Sequence, residues 1–152
     1  MKRILSLMLV AFVVSVSAMM YAGTPIKSSD LPKAAQTFLS KHFPGEEIRK
    51  VEKEQGRRGV EYEVEFRNGT EVDFRDNGDW KEVKAARGSA VPDGVVPSAI
   101  AKHVSINFKG QSIVEISRKR GGYEIELSNG TELRLTDEAT PMQQDSNRGR
   151  RR

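Results

Sequence analysis

A nine-residue pattern occurs twice in this chain and constrains its fold more than any other feature. The stretch F-R-N-G-T-E-V-D-F covers residues 66–74, and L-S-N-G-T-E-L-R-L covers residues 127–135. In each copy, alternating apolar residues flank an Asn-Gly pair, a combination typical of a β-hairpin with a tight turn. The sequence therefore predicts two equivalent hairpins.

The alternation also predicts the register of each hairpin. A two-residue loop would place Phe66 opposite Glu71 and mix the apolar face of the sheet with the acidic one. A three-residue loop keeps the apolar residues on one face and requires Gly69 at positive φ. The predicted pairs are Phe66–Thr70, Val64–Val72 and Tyr62–Phe74 in the first hairpin, and Leu127–Thr131, Ile125–Leu133 and Tyr123–Leu135 in the second.

The duplication extends beyond the hairpins. Residues 31–45 (L-P-K-A-A-Q-T-F-L-S-K-H-F-P-G) align without a gap with residues 96–110 (V-P-S-A-I-A-K-H-V-S-I-N-F-K-G). Helical spacing predicts one helix in each segment. In the first, Ser29 or Asp30 is the expected N-cap, Pro32 lies in the first turn, and Pro44-Gly45 ends the helix. Its expected apolar face consists of Leu31, Ala34, Ala35, Phe38, Leu39 and Phe43.

These patterns predict an α+β fold made of two tandem units, each with one helix followed by an antiparallel β-meander. We expect about four strands in the first unit and three in the second, with the helices on one face of the sheet. A bulge or bend is expected between Ile48 and Val51, whose spacing of three breaks strict alternation. The expected organisation is a linker at 23–29, units at 30–84 and 95–137 joined by a linker at 85–94, and a disordered basic tail at 138–152.

Residues 1–22 are typical of a secretory signal peptide. Lys2 and Arg3 precede an apolar run, and small residues allow cleavage after Ala18 or Ala22. The alternative, a membrane anchor, is disfavoured because the run is shorter than the roughly 20 residues of a spanning helix. The chain has no cysteine, which excludes a lipoprotein anchor and disulfides. We therefore expect a periplasmic or secreted protein without a stable membrane anchor.

The excess of basic residues comes from the two ends of the chain. The formal net charge is +4, with 25 basic and 21 acidic residues. Without the signal and the last eight residues, 19 basic and 20 acidic residues remain. The R-G-R-R-R ending could attract nucleic acid or anionic lipid by charge, but it has no aromatic residue for base stacking. No nucleic-acid partner is expected.

The combined pattern resembles the PepSY-like domains of exported bacterial proteins. The resemblance is carried by L-P…F-L…H-F-P-G and by Y-E-V-E-F-x-N-G-T-E-V-x-F-x-x-x-G-x-W, and it covers roughly residues 29–137. The second copy lacks the G-x-W step. Many such domains are described as similar to a β-lactamase inhibitory protein, and related modules occur in protease propeptides. The resemblance implies a binding or restraining role by fold analogy only.

Neither a metal site nor a catalytic site emerges from the sequence. His42 and His103 have no second ligand at helical spacing. A calcium loop starting at Asp73 fails because Arg75 and Lys84 occupy ligand positions, so Asp76-Asn77-Gly78 is better explained as a hairpin turn. No activated serine motif is present, and the carboxylates alternate along strands rather than pairing in a cleft. We expect no cofactor and no enzymatic activity. The two Asn-Gly-Thr sequons are explained by the turns themselves.

The polar face of the sheet is the candidate functional surface. Its expected members are Glu61, Glu63, Glu65, Glu71, Asp73, Arg75, Glu124, Glu126, Glu132 and Arg134. An open charged sheet of this kind suits docking of another envelope or secreted protein, for example a hydrolase or protease that the module restrains. The alternatives are a solvated face that only keeps the strands soluble, and a small-ligand or ion-binding module.

Overall fold

The structure, a computed structural model, describes residues 23–56 and 59–142. In these residues two α-helices accompany one antiparallel sheet of eight strands, which confirms the α+β class. The elements are β1 (Thr24–Pro25), α1 (Lys33–His42), β2 (Ile48–Gly56), β3 (Gly59–Phe66), β4 (Glu71–Arg75), β5 (Trp80–Lys84), α2 (Ser98–Asn107), β6 (Ile113–Lys119), β7 (Gly122–Leu127) and β8 (Glu132–Leu135). The predicted signal peptide and residues 143–152 lie outside the described residues.

The sheet is a continuous meander in which every strand pairs with the next one along the chain. Strands β5 and β6 pair directly, with Val83 opposite Ile116, although α2 lies between them in the sequence. The eighth strand comes from a segment that the sequence assigned to a linker. Thr24 pairs with Lys53 of β2, and a short 3₁₀ turn follows at Ser28–Asp30. The linker prediction for 23–29 is therefore wrong, because the edge of β2 offers hydrogen bonds that this segment takes up.

Both hairpin registers are confirmed. Val64 lies opposite Val72 in the first hairpin, and Ile125 lies opposite Leu133 in the second. Gly69 and Gly130 have φ of 92° and 82°. In both turns the Asn side chain accepts a hydrogen bond from the Thr backbone N–H two residues later, at 2.8 and 3.0 Å. The expected bulge is present in β2 between Ile48 and Lys50.

Both helices start directly after a proline. Helix α1 begins at Lys33 with Pro32 as its N-cap, so the prediction of Ser29 or Asp30 as N-cap is wrong. Asp30 instead accepts a hydrogen bond from the backbone of Lys27 within the 3₁₀ turn. The reason is that Leu31 is extended, with ψ of 149°, as expected for a residue that precedes proline.

One core lies between the two helices and the apolar face of the sheet. From α1, Phe38 packs edge-on against Phe74 with 5.7 Å between ring centroids, and Phe43 stacks on Phe66 at 5.1 Å. From α2, Ile100 is fully buried in the same core. Of the predicted apolar face of α1, Ala34 is exposed, which corrects that assignment.

Two segments outside the helices and strands are also held in place. Ala85 and Val91 of the linker at 85–94 donate backbone hydrogen bonds to β6, and Ala86 and Val91 are buried. After β8, the chain turns back so that Pro141 bridges Leu135, and Ala139 is buried. Residues 138–142, assigned to a disordered tail by the sequence, are thus ordered, because the outer edge of β8 provides backbone partners.

Candidate functional site

The polar face of the sheet carries charged residues on seven of its eight strands. Strict alternation turns the side chains next to each buried apolar residue away from the core. All ten candidate residues lie on β3, β4, β7 and β8 of this face. They form two groups separated by β5 and β6. At about 4.8 Å per strand, Asp73 on β4 and Glu124 on β7 are roughly 14 Å apart.

Four carboxylates lie directly opposite one another across four neighbouring strands. Glu52 of β2 faces Glu63 of β3, Glu63 faces Asp73 of β4, and Asp73 faces Glu82 of β5. We call these four residues the acidic row. Ser117, which is buried, continues the row on β6 and separates it from Glu124. Directly opposed like charges destabilise a sheet, so the row opposes folding of the isolated chain.

Asp73 has a strongly shifted pKa. Burial, reinforced by the charge of Glu82, raises the pKa of Asp73 to about 7. Burial also raises the pKa of Glu63 and of Glu115. Asp73 is therefore partly protonated at neutral pH.

Burial raises the pKa of Glu63 and of Asp73 by more than the neighbouring charges of Lys50 and Lys81 lower them, so basic side chains compensate the acidic row only in part. Lys50 Nζ lies 2.8 Å from Glu52 Oε2, and Lys81 Nζ lies 2.5 Å from Glu61 Oε2. Burial opposes ionisation of Glu124, but a hydrogen bond from Arg134 and the charge of Lys119 outweigh it and lower the pKa of Glu124. Glu65 pairs with Arg49.

Sequence reasoning missed four acidic residues of this face: Glu52, Glu54, Glu82 and Glu115. They matter because Glu82 and Glu115 connect the two predicted groups across β5 and β6. The signal was present, since each of these residues except Glu54 is next to a buried apolar residue of its strand. The pairing of β5 with β6, which brings them together, could not be read from local alternation.

Three carboxylates at one edge of this face come close to one another. Oxygen atoms of Glu52, Glu54 and Glu63 all lie within 4.8 Å of each other. Calcium coordinates carboxylate oxygens at about 2.3–2.6 Å, so oxygens at this spacing fit a shared ion. We call these three residues the carboxylate cluster.

The other candidate groups from the sequence have structural roles. Asn77 and Asp79 hydrogen-bond within the β4–β5 turn, where Gly78 has φ of 85°, as expected for a hairpin rather than a calcium loop. His42 ends α1 and packs against Phe38, and burial lowers its pKa. His103 packs against Phe108 on α2.

The polar face is not uniformly flat. A cleft of about 770 Å³ opens where β3 begins and where β4 and β6 end, and it is lined by Glu61, Arg75 and Lys81 of this face and by Arg118–Arg120. A second cleft, of about 430 Å³, lies between the linker and the β6–β7 pair.

Neither helix in the described part of the chain is long and apolar enough to cross a membrane.

A known family accounts for nearly all of this architecture. The sequence model described as "Putative beta-lactamase-inhibitor-like, PepSY-like" matches residues 19–61 and 60–140. The chain belongs to this PepSY-like family. No curated protein gives a significant match to it. The family is not a known enzyme family. Its description reports a likeness to a β-lactamase inhibitor and names no enzyme that the family inhibits.

Solved structures of Bacteroides proteins share this PepSY-like fold. A "putative periplasmic protein" of the DUF2874 family from Bacteroides vulgatus is 35% identical, with a TM-score of 0.74, over 80% of this chain and 95% of the other. A "putative calcium-regulated periplasmic protein" from Bacteroides thetaiotaomicron is 32% identical, with a TM-score of 0.75, over 80% of this chain and 94% of the other. A "putative periplasmic protein of unknown function" from B. vulgatus is 30% identical, with a TM-score of 0.72, over 77% of this chain and 93% of the other.

Proposed function

We propose that this PepSY-like protein is a non-catalytic module of the bacterial cell envelope that binds a positively charged surface of another envelope protein. The observation that carries the proposal is the acidic row. Four opposed carboxylates destabilise the isolated sheet, and a basic partner surface would relieve that repulsion on binding. The narrower form of the proposal is that the partner is a hydrolase restrained by the module.

Three further features belong to the same proposal. The protein is exported by its N-terminal signal, consistent with the periplasmic relatives. The chain is a duplication, with α1 preceding four strands, β2–β5, and α2 preceding three, β6–β8. The duplication places both groups of candidate residues on one sheet face, so the binding surface extends across both units.

The test is cross-linking capture from an envelope extract with tagged protein starting at residue 23. The triple variant Glu63→Lys, Glu65→Lys and Glu124→Lys reverses three negative charges on the polar face of the sheet, one of them in the acidic row. A matched triple variant, Glu46→Lys, Glu47→Lys and Glu138→Lys, makes the same charge change at exposed sites outside this face. We expect one protein to be captured by the wild type and by the matched variant but not by the face variant. Equal capture by both variants would refute docking on this face.

A divalent cation is the second candidate ligand, favoured by the carboxylate cluster. Glu52, Glu54 and Glu63 would supply the protein oxygens, and water would complete the coordination of calcium. The relative from B. thetaiotaomicron that is named as calcium-regulated adds support. Calcium sites in extracellular modules have dissociation constants of about 10⁻⁴–10⁻³ M.

Calcium binding is tested by thermal unfolding and calorimetry with calcium, magnesium and a chelator. Binding to the native state raises stability by mass action, so millimolar calcium should raise the Tm of the wild type. Glu54→Gln, which removes a cluster residue outside the acidic row, should abolish the increase. Glu132→Gln on β8 removes the same charge elsewhere on this face and should preserve it. An unchanged Tm in calcium, or equal loss in both variants, would exclude this site.

A further inference from the structure

One end of the sheet has the opposite charge to the acidic row. The cleft of about 770 Å³ is lined by residues at the start of β3, in the β4–β5 hairpin, at the end of β6 and in the turn that follows it. Five basic side chains and two acidic ones line it, a net of three positive charges. The basic residues are Arg75, Lys81, Arg118, Lys119 and Arg120, and the acidic ones are Glu61 and Asp76. We call it the basic cleft.

The basic residues come from three separate parts of the chain. Arg75 ends β4, and Arg118, Lys119 and Arg120 lie at the end of β6 and in the turn that follows. Lys81 is the additional residue of a bulge, because Trp80 pairs with Phe74 and Glu82 pairs with Asp73. Bulges of this type redirect a side chain, and here the bulge places an ammonium group beside the cleft.

Arg118 is the most informative residue of the basic cleft. Its guanidinium lies over the ring of Trp80, with 4.2 Å between the guanidinium carbon and the ring centroid. Its Nε is buried and has no hydrogen-bond acceptor among the residues that the structure describes. A buried donor without an acceptor opposes folding, so native structures rarely retain one without a reason.

The charges of the basic cleft are only partly neutralised. Lys81 pairs with Glu61, and Lys119 lies 3.4 Å from Glu124. Within residues 23–56 and 59–142, no carboxylate lies within salt-bridge distance of Arg75, Arg118 or Arg120. Guanidinium groups are planar forks of donors that match the oxygens of phosphate.

We infer that the basic cleft is a binding site for a phosphate-bearing ligand. A phosphate group supplies the acceptor that Arg118 Nε lacks, after a small side-chain movement, and it neutralises Arg75 and Arg120. The volume of the cleft falls within the roughly 300–1,000 Å³ typical of small-molecule sites. The phosphate can belong to a soluble small molecule or to a lipid headgroup. This site is independent of the acidic row and of the partner proposed for it.

The structure provides a direct reporter for this site. Trp80 is the only tryptophan of the chain and lies beneath Arg118. The protein from residue 23 onwards is titrated with inorganic pyrophosphate, and Trp80 fluorescence and calorimetry are followed. In a second arm, the protein is sedimented with phosphatidylglycerol vesicles and, for comparison, with phosphatidylcholine vesicles.

Two variants remove the proposed contacts and a third serves as the matched control. Arg118→Gln removes the stacked guanidinium, and the double variant Arg75→Gln with Arg120→Gln leaves the Arg118–Trp80 contact intact. Arg67→Gln makes the same change beyond the other end of β4, where Arg67 is exposed. We expect saturable binding by the wild type and by Arg67→Gln, weakened about tenfold or more in the other two variants.

Each outcome has one meaning. Pyrophosphate binding with this variant pattern supports the site and a soluble ligand. Binding only to phosphatidylglycerol vesicles, with the same pattern, supports the site and a lipid headgroup. The inference is overturned if neither probe binds saturably, or if Arg67→Gln weakens binding as much as the double variant does. The double variant decides the question if Arg118→Gln does not fold.

Discussion

Asp73 and Glu82 lie directly opposite each other on β4 and β5. Burial of Asp73, reinforced by the charge of Glu82 and only partly opposed by that of Lys81, raises its pKa from 3.8 to about 7. The folded protein therefore binds a proton that the unfolded chain has already released between about pH 4 and pH 7. Stability is favoured below this range and decreases as the pH rises through it.

This relationship predicts the pH dependence of stability. The free energy of unfolding should decrease between pH 5 and pH 8, and Asp73→Asn should remove most of the decrease. Between pH 5 and the folded-state pKa of about 7, the decrease amounts to at most about 3 kcal/mol. Denaturant unfolding at both pH values measures the effect. Glu132→Gln, which neutralises an exposed carboxylate, is the control and should keep the wild-type slope. A wild type whose stability rises with pH would contradict the environment assigned to Asp73.

The threonines of the repeated Asn-Gly-Thr turns should differ in importance. Thr70 is buried, and its Oγ1 accepts a hydrogen bond of 3.2 Å from the backbone N–H of Ala86. Thr70→Val leaves that N–H without its acceptor and should lower the free energy of unfolding by about 1–3 kcal/mol. Thr131→Val at the equivalent position should change it by less than about 0.5 kcal/mol. Urea unfolding compares them, and equal losses would indicate that the bond to Ala86 contributes nothing.

Two isoleucines of α2 provide a matched test of the core. Ile100 is fully buried, whereas Ile106 is 57% exposed. Ile100→Ala should destabilise the protein by about 2–5 kcal/mol because it leaves a cavity between helix and sheet. Ile106→Ala should change the free energy of unfolding by no more than about 0.5 kcal/mol. Thermal and denaturant unfolding measure both. A large effect of Ile106→Ala would mean that this side chain is covered in solution.

Gly122 should tolerate substitution less well than Gly130, although both have positive φ. A Cβ on Gly122 would clash with the carbonyl oxygen of Leu135 on the neighbouring strand, whereas a Cβ on Gly130 would meet open space. Gly130→Ala should reduce stability by about 1–2 kcal/mol through backbone strain alone. Gly122→Ala should reduce it by more than that and lower the Tm further. Similar Tm values for the two variants would argue against the close approach of β7 and β8.

The local features of this protein were readable from its sequence because they depend on near neighbours. Strict alternation and an Asn-Gly pair are enough to fix the register of each hairpin, and both registers are observed. The apolar spacing located both helices, although not the start of α1, where the conformation of Leu31 before Pro32 decided the boundary.

Contacts between distant segments were decided by the tertiary structure. Alternation shows which face a residue takes but not which strand lies beside it. The pairing of β5 with β6 joins the acidic residues into one face, and the pairing of Thr24–Pro25 with β2 adds the eighth strand. The same assembly places Arg118 over Trp80 and lets the Thr70 hydroxyl accept a hydrogen bond from Ala86, a bond that Thr131 does not have among the described residues. The sequence by itself determined the two hairpins, including the opposed Glu63 and Asp73, and located both helices. The basic cleft exists only because packing brings β6 beside strands that are remote along the chain.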